Sequence, residues 1–478
     1  MRTYQDLLEV VDNEKNLIDF IYGAIAEYKN SDMYKFAKLG YMYDRQENET
    51  IMKYRKMLHT LSGGQIPDCF SANHKLPSNF YHRFNVQENQ YLLGNGVTFI
   101  DEDLKDQLGK GKYAFDTRLQ KLGKIALTQA CGYGFWNLNH LDIFEPTEFA
   151  PLYDEEDGSM KAGIRWWQIA ETKPLRVTLY EMDGYTEYIR KRTDETLVVY
   201  KPKRAYKLKV RVSEADGEEI YDGENYPGFP IIPLWGNQDH ICNIKAWREK
   251  IDCYDLIESG FANDVDDASV IYWTIANSGG MDDVDLAEFI QRMKTIHAAT
   301  VETDSGQSIE SHTIDVPVTA RETYLKLLEK DLYKDAMALD TEAIATGNTV
   351  ATAIRAAYEP LNNKTDDFEY CVIEFIQGIL ALIDVEDDPT FKRSTIVNQQ
   401  EETTMILAAA QYLDTETILK HLPFLSPDEI EDILDNLTRE EADRFETDDG
   451  EEDNDIGGEI EGMGNDIIEM LDGLLEEE

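Results

Sequence analysis

Few residues in this chain combine the types and spacings that chemistry needs. Gly109-Lys-Gly-Lys112 has the composition of a phosphate-binding loop, but the GxxxxGK[ST] spacing is absent and no strand clearly precedes it. Gly132-Tyr-Gly134 and Gly94-Asn-Gly96 lack the third glycine and the βαβ setting of a dinucleotide fingerprint, so turns are expected at both. The eight histidines are dispersed, none in HExxH spacing, and no GxSxG elbow occurs, which removes the usual support for a hydrolase. Two acidic clusters, Asp264-Val-Asp-Asp267 and Asp282-Asp283-Val-Asp285, could hold magnesium or calcium through oxygen ligands. In so acidic a chain chance clustering is the stronger reading, and an EF-hand's central glycine and terminal glutamate are missing. A carboxylate-based metal-dependent enzyme using Asp264, Asp266 and Asp267, or Asp282 and Asp283, is the alternative from another class. No cofactor is expected.

The totals narrow the choice further. With 94 acids against 46 bases, the formal charge is -48, which argues against an open basic surface that grips phosphates. Such a balance fits a channel wall, where each firm phosphate contact would be a friction point for a sliding polyanion. It also fits an acidic protein that mimics DNA, a third reading. Five scattered cysteines, with no CxxC pair, suggest neither a disulfide framework nor a zinc site, and a reducing compartment is expected. The N-terminus carries acids where a secretory signal would carry bases, and no run of about 18 uncharged apolar residues occurs. At 478 residues, one large or two to three linked domains are expected.

The elements that must position these residues read as mainly helical α+β. Helical spacing runs through the first 60 residues, from Leu7, Val10 and Val11 to Ile21 and Ile25, and again over Asn85 to Leu93 and Phe115 to Ala130. From Gly163 to Val212 the character changes to strand-like runs, with Asp183-Gly184, Asp216-Gly217 and Asp222-Gly223 at expected tight turns of an antiparallel sheet. From Ile244, the stripe Ile244, Trp247, Ile251, Tyr254, Ile257, Phe261, Val265 predicts a helix of roughly 25 residues, about 38 Å long. Its other face carries Glu249, Asp252, Asp255 and Glu258.

A short mixed segment follows, with strands at Val270 to Ile275 and Ala298 to Val301 around a helix near Asp285 to Lys294. A second helix, Thr319 to Leu339, places Leu328 and Leu332 on one side and Lys326, Lys330 and Lys334 at steps of four on another. In isolation the lysines read as a solvated face supported by Glu322 four residues before Lys326. In a ring each would become a circle of positive charge. A third long helix contains Pro360, where the missing N–H and the ring should kink it. Helices are expected at Glu401 to Leu419 and at Ser426 to Leu437, the latter opened by a Ser426 and Glu429 capping box. From Glu440 to Glu478 only Arg444 is basic, so this tail should be largely mobile.

Four segments, in this order, carry a resemblance. They are Asn85-Val-Gln-Glu-Asn-Gln-Tyr-Leu-Leu-Gly-Asn-Gly96, Phe229-Pro-Ile-Ile-Pro-Leu-Trp-Gly-Asn237, Ile251-Asp-Cys-Tyr-Asp255 with Ser259-Gly-Phe-Ala-Asn263, and Ala345-Thr-Gly-Asn-Thr-Val-Ala-Thr-Ala353. Their order and spacing resemble the portal proteins of bacteriophages, in the branch of long-tailed phages of Gram-positive hosts. The resemblance implies a portal fold with wing, stem, clip and crown regions around a central tunnel, in a dodecameric ring at one capsid vertex. By it, residues 1–240 are the wing, 241–269 the first stem helix, 270–318 the clip and 319–339 the second stem helix. Residues 340–349 are the tunnel loop, 350–396 the kinked wing helix, 397–438 the crown and 439–478 the acidic tail.

Such a ring, without enzymatic activity, would conduct double-stranded DNA during packaging and ejection. Its implied partners are the large terminase, a head-completion or adaptor protein, and the major capsid and scaffolding proteins. It would assemble in the host cytoplasm and reside in the virion. DNA-facing candidates are Lys326, Lys330, Lys334, Asn348 and Thr349; subunit-interface candidates are Ile244, Trp247, Ile251, Tyr254, Leu328 and Leu332. The physical ground for the ring is that two long amphipathic helices cannot cover their stripes on one another alone.

Overall fold

The computed structural model describes residues 2–59, 64–68, 71–101, 103–212, 219–268, 272–275, 309–312, 317–341 and 351–394, together with positions 406, 408–421, 430, 433–434, 436–437 and 439. Two compact units divide the chain. The larger comprises residues 1–340 and 360–394, the smaller 341–359 and 395–478.

The larger unit begins with four helices, α1 (Tyr4–Val10), α2 (Glu14–Asn30), α3 (Asp32–Asp44) and α4 (Glu49–Lys53). Side chains set their ends. Thr3 and Asp6 form a capping box on α1, and Asn13 accepts from the backbone N–H groups of Lys15 and Asn16. Ser31 closes α2 through its N–H to Tyr28 and opens α3 by accepting from Tyr34, so one residue turns the chain. A short hairpin, β1 (Met57–His59) with β2 (Gln65–Pro67), precedes α5 (Phe80–Leu93), β3 (Val97–Thr98), α6 (Leu104–Gln107) and α7 (Phe115–Gln129).

Strands then dominate: β4 (Cys131–Asn137), β5 (His140–Phe144), β6 (Phe149–Tyr153), β7 (Met160–Trp167), β8 (Leu175–Glu181), β9 (Gly184–Arg190), β10 (Val198–Arg204), β11 (Lys207–Val212), β12 (Glu219–Glu224) and β13 (Ile231–Trp235). Strands β6 to β10 form a five-stranded antiparallel meander, while β13 returns to pair with β4 in a three-stranded sheet ordered β13-β4-β5. The long helices α8 (Ile244–Ala268) and α9 (Val318–Asp335) flank the pair β14 (Tyr272–Ile275) and β15 (Ile309–His312). Helix α10 (Ala351–Ile383) carries Pro360 inside it and is followed by β16 (Thr390–Phe391), which pairs with β3.

Three apolar clusters hold the larger unit. One packs α2 against the meander, with Phe20, Ile21 and Tyr28 meeting Ile164, Val177 and Leu179. The largest joins α7, the β13-β4-β5 sheet and α10 through Leu122, Tyr133, Phe144, Phe368 and Phe375. The third gathers Tyr43, Phe80, Tyr81 and Phe84 around Trp247 of α8 and Leu332 of α9. In the smaller unit the described part includes residues 351–359 of α10, a 3-10 turn at Ala410–Tyr412 and the helix α11 (Thr415–His421).

Several sequence expectations need correction. Gly132-Tyr-Gly134 is no turn but part of β4, buried on both faces. A Cβ at Gly132 would stand 2.6 Å from Leu122 Cδ1, and one at Gly134 2.5 Å from Phe375 Cζ. The glycines there let Leu122 of α7 and Phe375 of α10 approach the strand closely. Asp222-Gly223 lies within β12, paired with Lys209 and Leu208. Pro233 lies inside β13, an edge strand where its missing N–H costs no ladder bond on the open side. The helix expected over Glu401 to Leu419 is interrupted, because Asp414 accepts from the Thr417 N–H and starts α11 afresh. Asp216-Gly217, the strand at Ala298 to Val301, the helix at Asp285 to Lys294, Ser426 and the tail from Glu440 lie outside the described residues.

This packing generates two testable outcomes. Replacing Gly134 by alanine forces Phe375 out of a filled core, so the thermal unfolding midpoint should fall, reflecting a loss of about 1–3 kcal/mol. The second concerns Glu88 of α5, 1% exposed, whose carboxylate lies 2.6 Å from Lys364 Nζ on α10. Burial pushes the Glu88 carboxyl up, and Lys364 pulls it down. Lys364→Met strands that charge and should cost about 3–5 kcal/mol near neutrality, whereas Glu88→Met with Lys364→Met should cost little or nothing. A carboxyl whose folded pKa is raised contributes most below its unfolded pKa and loses that contribution as pH climbs. The Lys364→Met deficit in chemical denaturation should therefore shrink as pH falls from 7 towards 5.

Candidate functional site

Helices α8 and α9 run antiparallel, tied by Lys250 to Asp335 at 2.5 Å near one end and by Arg321 to Asp264 near the other. The 25 residues of α8 match the length expected from its stripe. At its first turns the stripe is inside the chain's own core: Ile244 and Ile251 are fully buried and Trp247 nearly so. Trp247 meets Tyr81 and Phe84 edge-on, with ring centroids 5.7 Å apart in both cases, and Tyr254 meets Phe80 at 4.9 Å. On α9, Leu332 is fully buried and Leu328 buried to 7% exposure, while Tyr254 is half-buried.

The interface candidates Ile244, Trp247, Ile251, Leu328 and Leu332 are thus covered within one chain, and neighbouring copies are not needed to cover them. This corrects the expectation that these residues find their cover on adjacent copies: the helices do not cover them alone, but Phe80, Tyr81 and Phe84 of the same chain do. The exposed apolar side chains are others: Val265, Val318, Tyr324 and Leu327, all between 45% and 53% exposed. Each lies in the half of the helix pair away from Trp247.

A second face of α8 is held by a feature that sequence reasoning missed. Asp252 and Asp255, which the spacing assigns to the helix's polar side, are 7% and 0% exposed. Residues 74–78 run alongside the helix, and three alternate backbone N–H groups of this strap donate to it: His74 to Asn263 Oδ1 at 2.6 Å, Leu76 to Ser259 Oγ at 2.9 Å, Ser78 to Asp255 Oδ1 at 2.9 Å. The periods match. Two residues of extended chain advance about 6.6 Å, and four residues of α-helix about 6.0 Å. Asn48 completes Asp255 with a 2.5 Å hydrogen bond, and Tyr43 and Thr50 donate to Asp252 at 2.5 and 2.6 Å. Burial pushes the Asp255 carboxyl up, and the donors Asn48 and Ser78 counter it. The spacing Asp255, Ser259, Asn263 was the available signal, since short polar residues at steps of four suit acceptors along one helix face.

The charged candidates divide. Lys326, Lys330 and Lys334 are exposed, and Lys326 donates to Glu322 at 2.7 Å. Asn348 and Thr349, with most of the expected tunnel loop, lie outside the described residues. In the first acidic cluster Asp264 is taken by Arg321, and His74 Nε2 lies 3.4 Å from Asp266. The Asp267 side chain and the cluster from Asp282 are outside the described residues. Among the described residues no group of three or more His, Cys, Asp or Glu side chains is arranged to hold a metal, and no helix is long and apolar enough to cross a membrane.

The family described as phage portal protein, SPP1 Gp6-like, matches residues 42–454. A portal protein of Clostridium phage phiCD119 is 26% identical over 301 residues, 61% of this chain and 64% of the relative. The portal protein of Bacillus phage SPP1 is 22% identical over 374 residues, covering 68% and 65%. The match therefore spans slightly less than two-thirds of these relatives' length. Among solved structures, a chain in the neck of a native gene transfer agent particle, computed with C12 symmetry, has TM-score 0.42 and 12% identity over 73% of this chain and 91% of that one. A chain of the native gene transfer agent virion has TM-score 0.40 and 13% identity over 71% and 88%. With a family match reaching from α3 through both long helices and α10, this α+β chain belongs to the family of phage portal proteins described as SPP1 Gp6-like.

Proposed function

We propose that this chain is one subunit of a dodecameric ring at a single capsid vertex, through whose tunnel double-stranded DNA enters during packaging and leaves during ejection. The observation that carries the reading is the α8–α9 pair. It is rooted at one end in the chain's own core and strap, and it exposes Val265, Val318, Tyr324 and Leu327 beyond that root. A monomer has little reason to leave four large apolar side chains on one helix pair in water, and a ring of heterologous contacts would cover them on every copy.

In this reading residues 1–240 form the wing, α8 and α9 the stem, 270–318 the clip, 340–349 the tunnel loop, 350–396 a wing helix and 397–438 the crown. The clip would meet the large terminase during packaging and a head-completion or adaptor protein afterwards, and the major capsid and scaffolding proteins would meet the outer surface. Assembly would take place in the host cytoplasm. The lysines of α9 are DNA-facing candidates, joined by Asn348 and Thr349 of the loop. With acids elsewhere in large excess, weak contacts at a few repeated lysines would centre a polyanion without holding it.

Native mass spectrometry and negative-stain imaging of the purified protein test the ring: a discrete high-order oligomer with a central hole is expected, and a stable monomer at high concentration would overturn it. A second measurement addresses the lysines. Lys326→Glu with Lys330→Glu should leave rings intact but lower packaged DNA several-fold, and undiminished packaging would remove these residues from the tunnel surface.

A further inference from the structure

The loop Gly109-Lys-Gly-Lys112 is not built as a nucleotide loop: its second half is a single 3-10 turn, Gly111–Tyr113, and α7 opens two residues later. Both glycines have positive φ, 151° and 60°. A Cβ on Gly111 would meet nothing within 4 Å, so the loop stands clear of other atoms there. What it carries is a cluster around one ring. Lys112 Nζ and Arg118 Cζ each lie 4.8 Å from the centroid of Tyr113, and the His140 ring lies 4.4 Å from it. The two cations are therefore no farther apart than twice the first distance. Lys121, three residues after Arg118 on α7, neighbours it on the helix surface. Both lysines are exposed.

Arg118 sets this cluster apart. Its Nε is buried and meets no acceptor. Arg165, Arg204 and Arg248 share that feature, but each reaches a carboxylate through another guanidinium nitrogen, on Glu148, Glu187 and Glu49 respectively. Arg118 forms no ion pair among the described residues, and neither do Lys112 and Lys121. The carboxylates of this region are committed elsewhere: Asp106 to Lys110 at 2.9 Å, Asp116 to Lys105 at 2.5 Å and Asp44 to Lys124 at 3.0 Å, while Asp142 lies 3.6 Å from His140 Nε2. In a chain with 94 acids to 46 bases, three neighbouring cations without a carboxylate are an exception. The Tyr113 face steadies the guanidinium but offers no oxygen to its N–H groups.

We propose that Lys112, Arg118 and Lys121 bind backbone phosphates of double-stranded DNA, on the part of the chain read as wing and apart from the α9 lysines. The choice of ligand rests on the DNA-conducting reading, and the place rests on the cluster itself. A guanidinium takes a phosphate through two parallel hydrogen bonds, and the lysines add point charges on either side. A duplex carries one negative charge per about 1.7 Å of its axis, whereas an extended peptide made only of acids carries one per about 3.3 Å. Closely spaced cations on an open surface thus gain more from the duplex. The acid excess of the chain does not forbid the contact, because charges beyond a Debye length of about 8 Å are largely screened at physiological salt.

The test uses the full chain and covalently closed circular duplex DNA, which has no end to enter a tunnel, with affinity followed from 50 to 200 mM salt. Each phosphate contact adds about 0.9 to the slope of log affinity against log salt. Lys112→Gln with Lys121→Gln should therefore lower that slope by about two, and adding Arg118→Gln should lower it by nearly three. The double variant touches only exposed side chains, so it decides the matter even if the triple variant disturbs the fold. A slope unchanged from wild type in the double variant would overturn the assignment. So would preferential displacement of the DNA by poly-glutamate of matched charge, which would give the patch to an acidic protein. Native mass spectrometry of the same sample reads the ring separately: rings that form while the variants bind closed circles like wild type sink this contact alone, and a wild-type chain without rings sinks the ring reading.

Discussion

Helix α8 is held on two sides by two different kinds of force, and the rest of the arrangement depends on that. Apolar contact alone fixes a helix poorly along its axis, because edge-to-face rings such as those of Tyr81, Phe84 and Trp247 tolerate small slides. The strap removes that freedom. Three backbone donors spaced two residues apart meet three acceptors spaced four apart, and a shift of one residue in either partner would break all three hydrogen bonds at once. Each broken bond would leave a polar group of a largely buried seam unsatisfied, which costs more than the bond itself contributes. The helix therefore leaves the body of the subunit at one height and one rotation, and α9 inherits both through its two ion pairs with α8.

The same logic of shared nodes extends inward. Lys364 of α10 is 2.6 Å from Glu88 of α5 and also lies over the Trp247 ring, with Nζ 4.8 Å from the centroid. One ammonium group thus touches three helices, and its charge is balanced on one side by a carboxylate and on the other by an aromatic face. Further along, Phe368 and Phe375 of α10 reach Gly123 and Gly134, where only hydrogen atoms stand in the way. The long helix can lie close to α7 and β4 because those glycines leave the space, and a charged pair then sets its registry against α5. A hydrophobic core supplies most of the attraction here, while the polar pair supplies position.

What is legible in the sequence follows from which signals are local. The α8 helix can be read to within a few residues because its stripe repeats over 25 positions, and the meander shows its alternation and its Asp183-Gly184 turn. The glycines of β4 pass for turns because their reason lies far away in sequence, in Phe375 and Leu122. Asp252 and Asp255 pass for a polar face: the steps of four from Asp255 to Ser259 and Asn263 mark a row of acceptors, but the donors Tyr43, Asn48 and Ser78 that bury them lie far off in sequence. The apolar stripe is plain as a stripe, yet composition alone does not tell that half of it is spent on Phe80, Tyr81 and Phe84 of the same chain. Long-range pairing decides such cases, and the spacing within one segment does not name the partner.

The lysines of α9 do not all belong to one side of the helix. Residues four apart are not in line along a helix but drift by about 40° at each step, so Lys326, Lys330 and Lys334 wind slowly around α9 and do not form a straight row. Lys334 comes nearest the side that carries Ala320 and Leu327, while Lys326 is turned farthest from it and already shares its charge with Glu322. In a ring built through that side, the stripe would begin at a subunit contact and end in the open. Lys326 is compensated by Glu322 within the chain, whereas Lys330 and Lys334 make no ion pair among the described residues. A graded line of this kind, repeated on every copy, would present a passing polyanion with shallow attraction and no deep well.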